Sequence, residues 1–104
     1  MDLSGKVAII TGAARGQGEA EARLFAERGA QVVLTDVLVD EGEAVAASIG
    51  AAARFQRHDV GSESDWRATV ELALSEFGRV DALVNNAAIC TVEPLLDHTA
   101  ESWE

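Results

Sequence analysis

Four short apolar runs, each separated from the next by a stretch with helical periodicity, constrain this chain more than any other feature. Lys6 to Ile10 reads K-V-A-I-I and stops at Thr11-Gly12; Gln31 to Val37 reads Q-V-V-L-T-D-V. Ala53 to Val60 is a weaker third run, and Val80 to Val84 reads V-D-A-L-V before Asn85-Asn86. Runs that are apolar at successive positions suit strands covered on both faces, as in a parallel sheet. Between them, Gly16 to Arg28 carries Ala20, Leu24 and Phe25 and meets Gly29. Asp40 to Ile49 has Asp40 and Glu43 at capping-box spacing and closes at Gly50. Ser64 to Phe77 puts Trp66, Val70, Ala73, Leu74 and Phe77 on one helical face and ends at Gly78. Pro94 opens a short segment, and Thr99 to Glu104 predicts the first turn of a further helix. The order β-α-β-α-β-α-β predicts parallel strands joined by right-handed crossovers, in one domain spanning 1–104.

Composition narrows the partners. The net charge is −10, from 8 basic and 18 acidic residues. Such a surface repels phosphate backbones and anionic lipid heads, so nucleic acid and membrane are not expected partners. A small phosphorylated ligand remains compatible, because local backbone dipoles can bind one against the global field. The lone cysteine, Cys90, has no internal disulfide partner and fits a reducing compartment. No basic leader precedes an apolar segment, and no run approaches ~18 apolar residues. A soluble cytoplasmic protein is the expectation. His58 and His98 have no third ligand at useful spacing, so no metal site is expected. Cys90 has no evident base partner, and it reads as a small packed side chain.

The first run leads straight into Thr11-Gly12-Ala13-Ala14-Arg15-Gly16-Gln17-Gly18, followed by a helix. This placement suits a phosphate. Glycine lets backbone N–H groups approach closely, and the helix start adds unpaired donors with a positive partial charge. The spacing is neither the common G-x-G-x-x-G nor a P-loop, and a glycine turn alone also fits a plain strand–helix connection. Its position in the first βα unit, with Asp36 closing the second run, favours a nucleotide. A carboxylate at Asp36 can accept from adenosine ribose hydroxyls and repels a 2′-phosphate.

The glycine turn, Asp36, His58-Asp59-Val60 and Asn85-Asn86-Ala87-Ala88 together resemble the short-chain dehydrogenase/reductase family along the whole chain. The resemblance implies a Rossmann-type parallel sheet, order 3-2-1-4, flanked by helices and truncated after the fourth strand. It implies a cofactor site made of Gly12, Ala14, Arg15, Gly16, Gln17, Gly18, Asp36, Val37, Asp59, Val60, Asn86, Ala87 and Ala88. The turn residues would hold the pyrophosphate, Asp36 the adenosine ribose, and Asp59 and Val60 the adenine side. Asn86 to Ala88 would contact the cofactor from the end of the fourth strand, while Thr11 and Asn85 tie strand ends together. Ala88 departs from the family's glycine. Ala14 stands where NADP-using relatives often carry a hydroxyl; Arg15 is the opposing signal, and Asp36 favours NAD over NADP.

The family's catalytic Tyr-x-x-x-Lys pair and serine lie later in the chain. Here there is no tyrosine, the only lysine is Lys6, and the family asparagine is missing as well. No catalytic residue is therefore assigned. The expectation is an NAD(H)-dependent parent enzyme interconverting an alcohol and a ketone, a steroid or other secondary alcohol being compatible, with this chain supplying cofactor binding and no turnover. The alternatives are a non-catalytic nucleotide-binding fragment and a half-domain that assembles with another chain. A fourth strand without an outer neighbour would leave a bare edge, so self-association or capture of another polypeptide through that edge, or a chain that stays only partly ordered, is also expected.

Overall fold

The computed structural model describes residues 2–86, and the backbone of 91–93. Chain order is β1 (Val7–Thr11), α1 (Gly16–Glu27), β2 (Gln31–Asp36), α2 (Val39–Ile49), β3 (Ala53–Arg57), α3 (Glu63–Phe77), β4 (Ala82–Asn85) and β5 (Thr91–Glu93). The sheet runs β3-β2-β1-β4-β5, and its first four strands are parallel. The expected order 3-2-1-4 is therefore observed.

Strand parity divides the apolar residues between two cores. In β1, Ala8 and Ile10 join Val32, Leu34, Ala22, Val45 and Val84 on one face, with Phe25, Ile49 and Phe55 packed around them. Val7 and Ile9 point the other way, onto Val33, Trp66, Ala73, Val80 and Leu83. Helices α1 and α2 thus cover one face and α3 the other. This is why β1 is buried at all five positions and why its sequence shows no polar alternation. Burial on both faces removes most of the apolar surface that a strand of this composition would expose.

Several local expectations change. α2 starts at Val39, one residue before Asp40, and its N-cap Leu38 has no side-chain cap bond, so the Asp40–Glu43 box does not form. The N-cap amide is satisfied from the other side, by Asp36 Oδ1 accepting from Leu38 N–H at 3.1 Å, and the Leu38 carbonyl accepts the first intrahelical bond from Gly42 N–H at 2.9 Å. α3 is capped by Ser62, whose Oγ accepts from Asp65 N–H at 3.2 Å. Leu24 and Leu74 face solvent, and Ala20 is exposed; in α1 Gly18 and Ala22 are buried with Phe25 packed against the core, while in α3 the expected Trp66 and Ala73 are buried, Val70 and Phe77 pack beside them, and Thr69 takes a further inward position. Small residues dominate the α1 face because that helix lies close against the sheet.

The outer edge of β4 is not bare. β5 pairs with it antiparallel, Leu83↔Glu93, Val84↔Val92 and Asn85↔Thr91. The chain itself supplies the neighbour, which removes the reason for expecting association through that edge. The segment after Pro94 and the expected helical turn at 99–104 lie outside the described residues.

The entry to the sheet is held by Asp81. Its Oδ2 accepts from Val7 N–H at 2.8 Å, its own N–H donates to Val7 O at 2.8 Å, and Oδ1 receives Arg79 at 2.6 Å. The Arg79 hydrogen bonds, with the Val7 amide and nearby positive charge, outweigh partial burial and hold the carboxyl below its ordinary range. A depressed carboxylate pKa stabilises the fold above the unfolded-state value, and that stabilisation is lost as pH falls through the folded value. Asp81→Ala strands the buried Val7 amide and is expected to lower unfolding stability by about 1–3 kcal/mol, with Asp81→Asn losing less. In urea titrations across the acid range, the gap between Asp81→Ala and the unmodified chain should shrink as pH falls.

Candidate cofactor-binding site

In a parallel sheet the strand ends gather at one side, and the site residues inherit that placement. Register sets Thr11 beside Thr35 on one flank and Asn85 on the other, while Asp36 lies beside Arg57. The glycine turn, Asp36, the start of the β3–α3 loop and Asn85-Asn86 therefore meet at the carboxyl edge.

The turn after β1 is tight. Gly12 and Gly16 have φ of 63° and 65°, and among the described residues only glycines have positive φ. Gly18 meets a different constraint. A Cβ there would fall onto the Gly12 carbonyl oxygen and lie 2.7 Å from its carbon and 3.0 Å from Ala13 Cα. The absent side chain lets α1 start directly over the turn. Arg15, the N-cap, is extended and provides no side-chain cap bond, so the first-turn N–H groups have no such acceptor competing with an incoming anion. Arg15, Gly16 and Gln17 are exposed; Ala13 and Ala14 are buried.

Asp36 stitches the turn to β2. Its Oδ2 accepts from Ala14 N–H at 3.0 Å and its Oδ1 from Leu38 N–H at 3.1 Å, while Ala13 N–H donates to Thr35 O at 3.1 Å. An ionised carboxylate offers about four acceptor positions, so two amides fix its orientation and leave capacity for hydroxyl donors. Val37, beside it, is 54% exposed. Sequence reasoning placed Asp36 at a ribose; its hold on the Ala14 amide was not visible there.

At the end of β3, His58 is 2% exposed. Its N–H donates to Asp36 O at 3.1 Å, and its Nδ1 lies 3.2 Å from Thr35 Oγ1 and 3.3 Å from Thr69 Oγ1. The ring sits edge-on to Trp66 at 4.2 Å, and Nε2 has no hydrogen-bond partner. Burial pushes the imidazole pKa down, against the opposing pull of Asp65 and Asp59. The buried ring is a packing element that joins β2 to α3. Among the described residues no group of acidic, histidine or cysteine side chains could hold a metal.

Asp59 is exposed, and its Oδ1 accepts from Gly61 N–H at 2.9 Å, closing a local turn. Val60 is half-buried against the α3-side core, and its carbonyl accepts from Trp66 Nε1 at 2.9 Å. Thr11 Oγ1 donates to Asn85 Oδ1 at 2.8 Å, the expected tie between strand ends. Asn86 directs its side chain into the protein: Nδ2 donates to Thr11 O at 3.3 Å and to Glu21 Oε1 at 2.6 Å. Glu21 carried no motif and was missed; the only hint in the sequence was its place on the turn-bearing helix. Ala87, Ala88, Cys90 and His98 lie outside the described residues.

A 3-2-1-4 parallel sheet, a glycine turn between β1 and α1 and an acid closing β2 define a Rossmann-type nucleotide-binding fold. Residues 6–104 match the family model described as short chain dehydrogenase, and the chain belongs to that family. It is 41% identical over 102 residues to a 3-alpha-(or 20-beta)-hydroxysteroid dehydrogenase of Mycobacterium tuberculosis, covering 98% of this chain and 39% of the relative. It is 43% identical over 103 residues to an NADP-dependent (R)-specific alcohol dehydrogenase of Lentilactobacillus kefiri, covering 97% of this chain and 41% of the relative. A crystal structure of 3-ketoacyl-(acyl-carrier-protein) reductase from Brucella melitensis complexed with NADH superposes with a TM-score of 0.78 at 51% identity, over 80% of this chain and 34% of the other. The chain thus spans about two fifths of the length of these curated relatives.

The two helix-start glycines should respond differently to alanine. Gly16 has open space for a Cβ, so Gly16→Ala carries only its positive φ, about 1–2 kcal/mol. Gly18→Ala drives a methyl into backbone that cannot rotate away, and it is expected to lower stability more than Gly16→Ala does. Urea unfolding midpoints of the two variants check the order.

Proposed function

We propose that this chain forms the NAD(H)-binding part of an oxidoreductase that interconverts an alcohol and a ketone. The observation that carries the cofactor choice is the Asp36 carboxylate, fixed by the Ala14 and Leu38 amides beside the glycine turn. The donor set fits a dinucleotide. An α1 start without a side-chain cap and the Gly12–Gly18 close approach suit a pyrophosphate. Gly12, Ala14, Arg15, Gly16, Gln17 and Gly18 would hold that group, with Asp36 and exposed Val37 on the adenosine side. Asp59, Val60, Asn86, Ala87 and Ala88 complete the proposed set.

When bound, the nicotinamide supplies or takes the hydride. The residues of this chain bind and orient it. They carry no proton-transfer step, because the chain contains no tyrosine and its only lysine, Lys6, precedes the turn. Cofactor binding without turnover is the reading for these 104 residues alone.

Asp36 favours NAD(H). A 2′-phosphate next to its carboxylate sets like charges together, which weakens binding unless a cation intervenes. Arg15, exposed in the turn, is the opposing group, and one relative described above is named NADP-dependent. Calorimetric titration is expected to give NADH at least about tenfold tighter binding than NADPH. Asp36→Ala should narrow that gap while weakening NADH, since it also releases the Ala14 amide. Tighter binding of NADPH by the unmodified chain would overturn the preference.

A further inference from the structure

We infer that Glu21 is a positioning residue for the cofactor edge, acting through the side chain of Asn86. This rests on the cofactor reading above.

Glu21 lies on α1, five residues beyond Gly16, and is half-buried. Its Oε1 accepts from Asn86 Nδ2 at 2.6 Å, and Gln17 Nε2 stands 3.5 Å from its Oε2. The same Asn86 Nδ2 reaches Thr11 O at 3.3 Å. Both neighbours of that nitrogen are acceptors, so the amide has one sensible orientation, with its NH2 turned toward them. A hydrogen bond to an ionised acceptor is short and roughly twice as strong as a neutral one. Among the described residues Glu21 forms no ion pair. The shorter of its two side-chain hydrogen bonds is thus to a neutral amide.

The consequence is a closed mechanical link. Thr11 ends β1 and binds the Asn85 side chain; Asn86 binds the Thr11 carbonyl and Glu21; Glu21 belongs to the helix that begins at the glycine turn. The strand that enters the turn, the helix that leaves it and the end of β4 are locked as one unit. Holding the Asn86 side chain from α1 fixes the end of β4 against the strand that enters the glycine turn.

The link has an electrostatic cost. Glu21 sits about 8 Å along the helix axis from Gly16, at 1.5 Å per residue. Helical side chains lean toward the N-terminus, and Glu21 Oε2 lies 3.5 Å from Gln17 Nε2 in the first turn, so its charge sits on the side of the helix start that would receive a pyrophosphate. Acceptor and charge therefore act in opposite directions on affinity, and substitution can separate them. Glu21→Gln keeps an acceptor oxygen and removes the charge. Glu21→Ala removes both.

The test uses the full 104-residue chain, with NADH as the probe and two readouts. In nuclear magnetic resonance spectra without cofactor, the Asn86 side-chain NH2 signals should sit away from free-amide positions. They should move toward those positions in Glu21→Ala and stay displaced in Glu21→Gln. In NADH titrations, Glu21→Ala should bind about fivefold or more weakly, the size expected for losing a charge-assisted hydrogen bond. Glu21→Gln should match or exceed the unmodified chain. A purely structural role would lower the urea midpoint of Glu21→Ala and leave its NADH affinity at native conditions unchanged, and that result overturns the inference. Asn86 signals indifferent to both substitutions overturn it too, whatever NADH does. An Asn86 response that follows this pattern, in a chain that binds no NADH, would instead sink the cofactor reading and support the Glu21–Asn86 tie alone.

Discussion

The contact on which this architecture turns is the approach of Gly18 to the Gly12 carbonyl. Any side chain at position 18 would occupy the space of backbone that closes the first turn. Because that space is empty, α1 begins directly above the end of β1 instead of after a longer loop. Its first N–H groups then point past the strand ends. Ala13 and Ala14 are drawn close enough to β2 for their amides to reach Thr35 O and the Asp36 carboxylate. A site that combines helix-start donors with a carboxylate follows from one missing methyl group.

The rest of the molecule holds that edge still. Alternate residues of β1 feed two separate cores, so the strand beneath the turn is packed from both sides. His58 links Thr35 to Thr69 inside the fold, and Thr11 is joined to Asn85 across the sheet. These are buried or half-buried polar groups with partners in different elements. Each fixes a strand end relative to a neighbour, whereas the exposed pairs Arg23–Glu19 and Arg67–Glu63 lie within single helices and contribute little.

Much of this was legible in the sequence. The apolar runs gave the strands because burial on two faces leaves a continuous signature, and Gly29, Gly50 and Gly78 marked the helix ends. The glycine turn and Asp36 were legible because their spacing belongs to one βα unit. What escaped depends on distance along the chain or on competition between nearby groups. The Glu21–Asn86 bond joins residues 65 positions apart, and no local pattern encodes it. β5 has three residues, too few for a periodic signal, so the edge of β4 was expected to be bare. The Asp40–Glu43 spacing satisfied a capping rule, but the chain enters α2 one residue earlier and the adjacent Asp36 carboxylate takes the Leu38 amide. Leu24 fits a helical stripe, yet the close approach of α1 to the sheet puts Gly18 and Ala22 on its inward face; Leu74 lies off the inward line of Trp66, Thr69 and Ala73 in α3.

The most direct test of the account is a residue-by-residue map of NAD binding to this chain. Backbone amide resonances are followed while NAD is added to saturation. The account predicts saturable shifts concentrated at Gly12 to Gly18 and at Asp36 to Leu38, with the α2–β3 connection at 50–52 unmoved. Saturable binding that shifts other surfaces and leaves the glycine turn and Asp36 in place would contradict it.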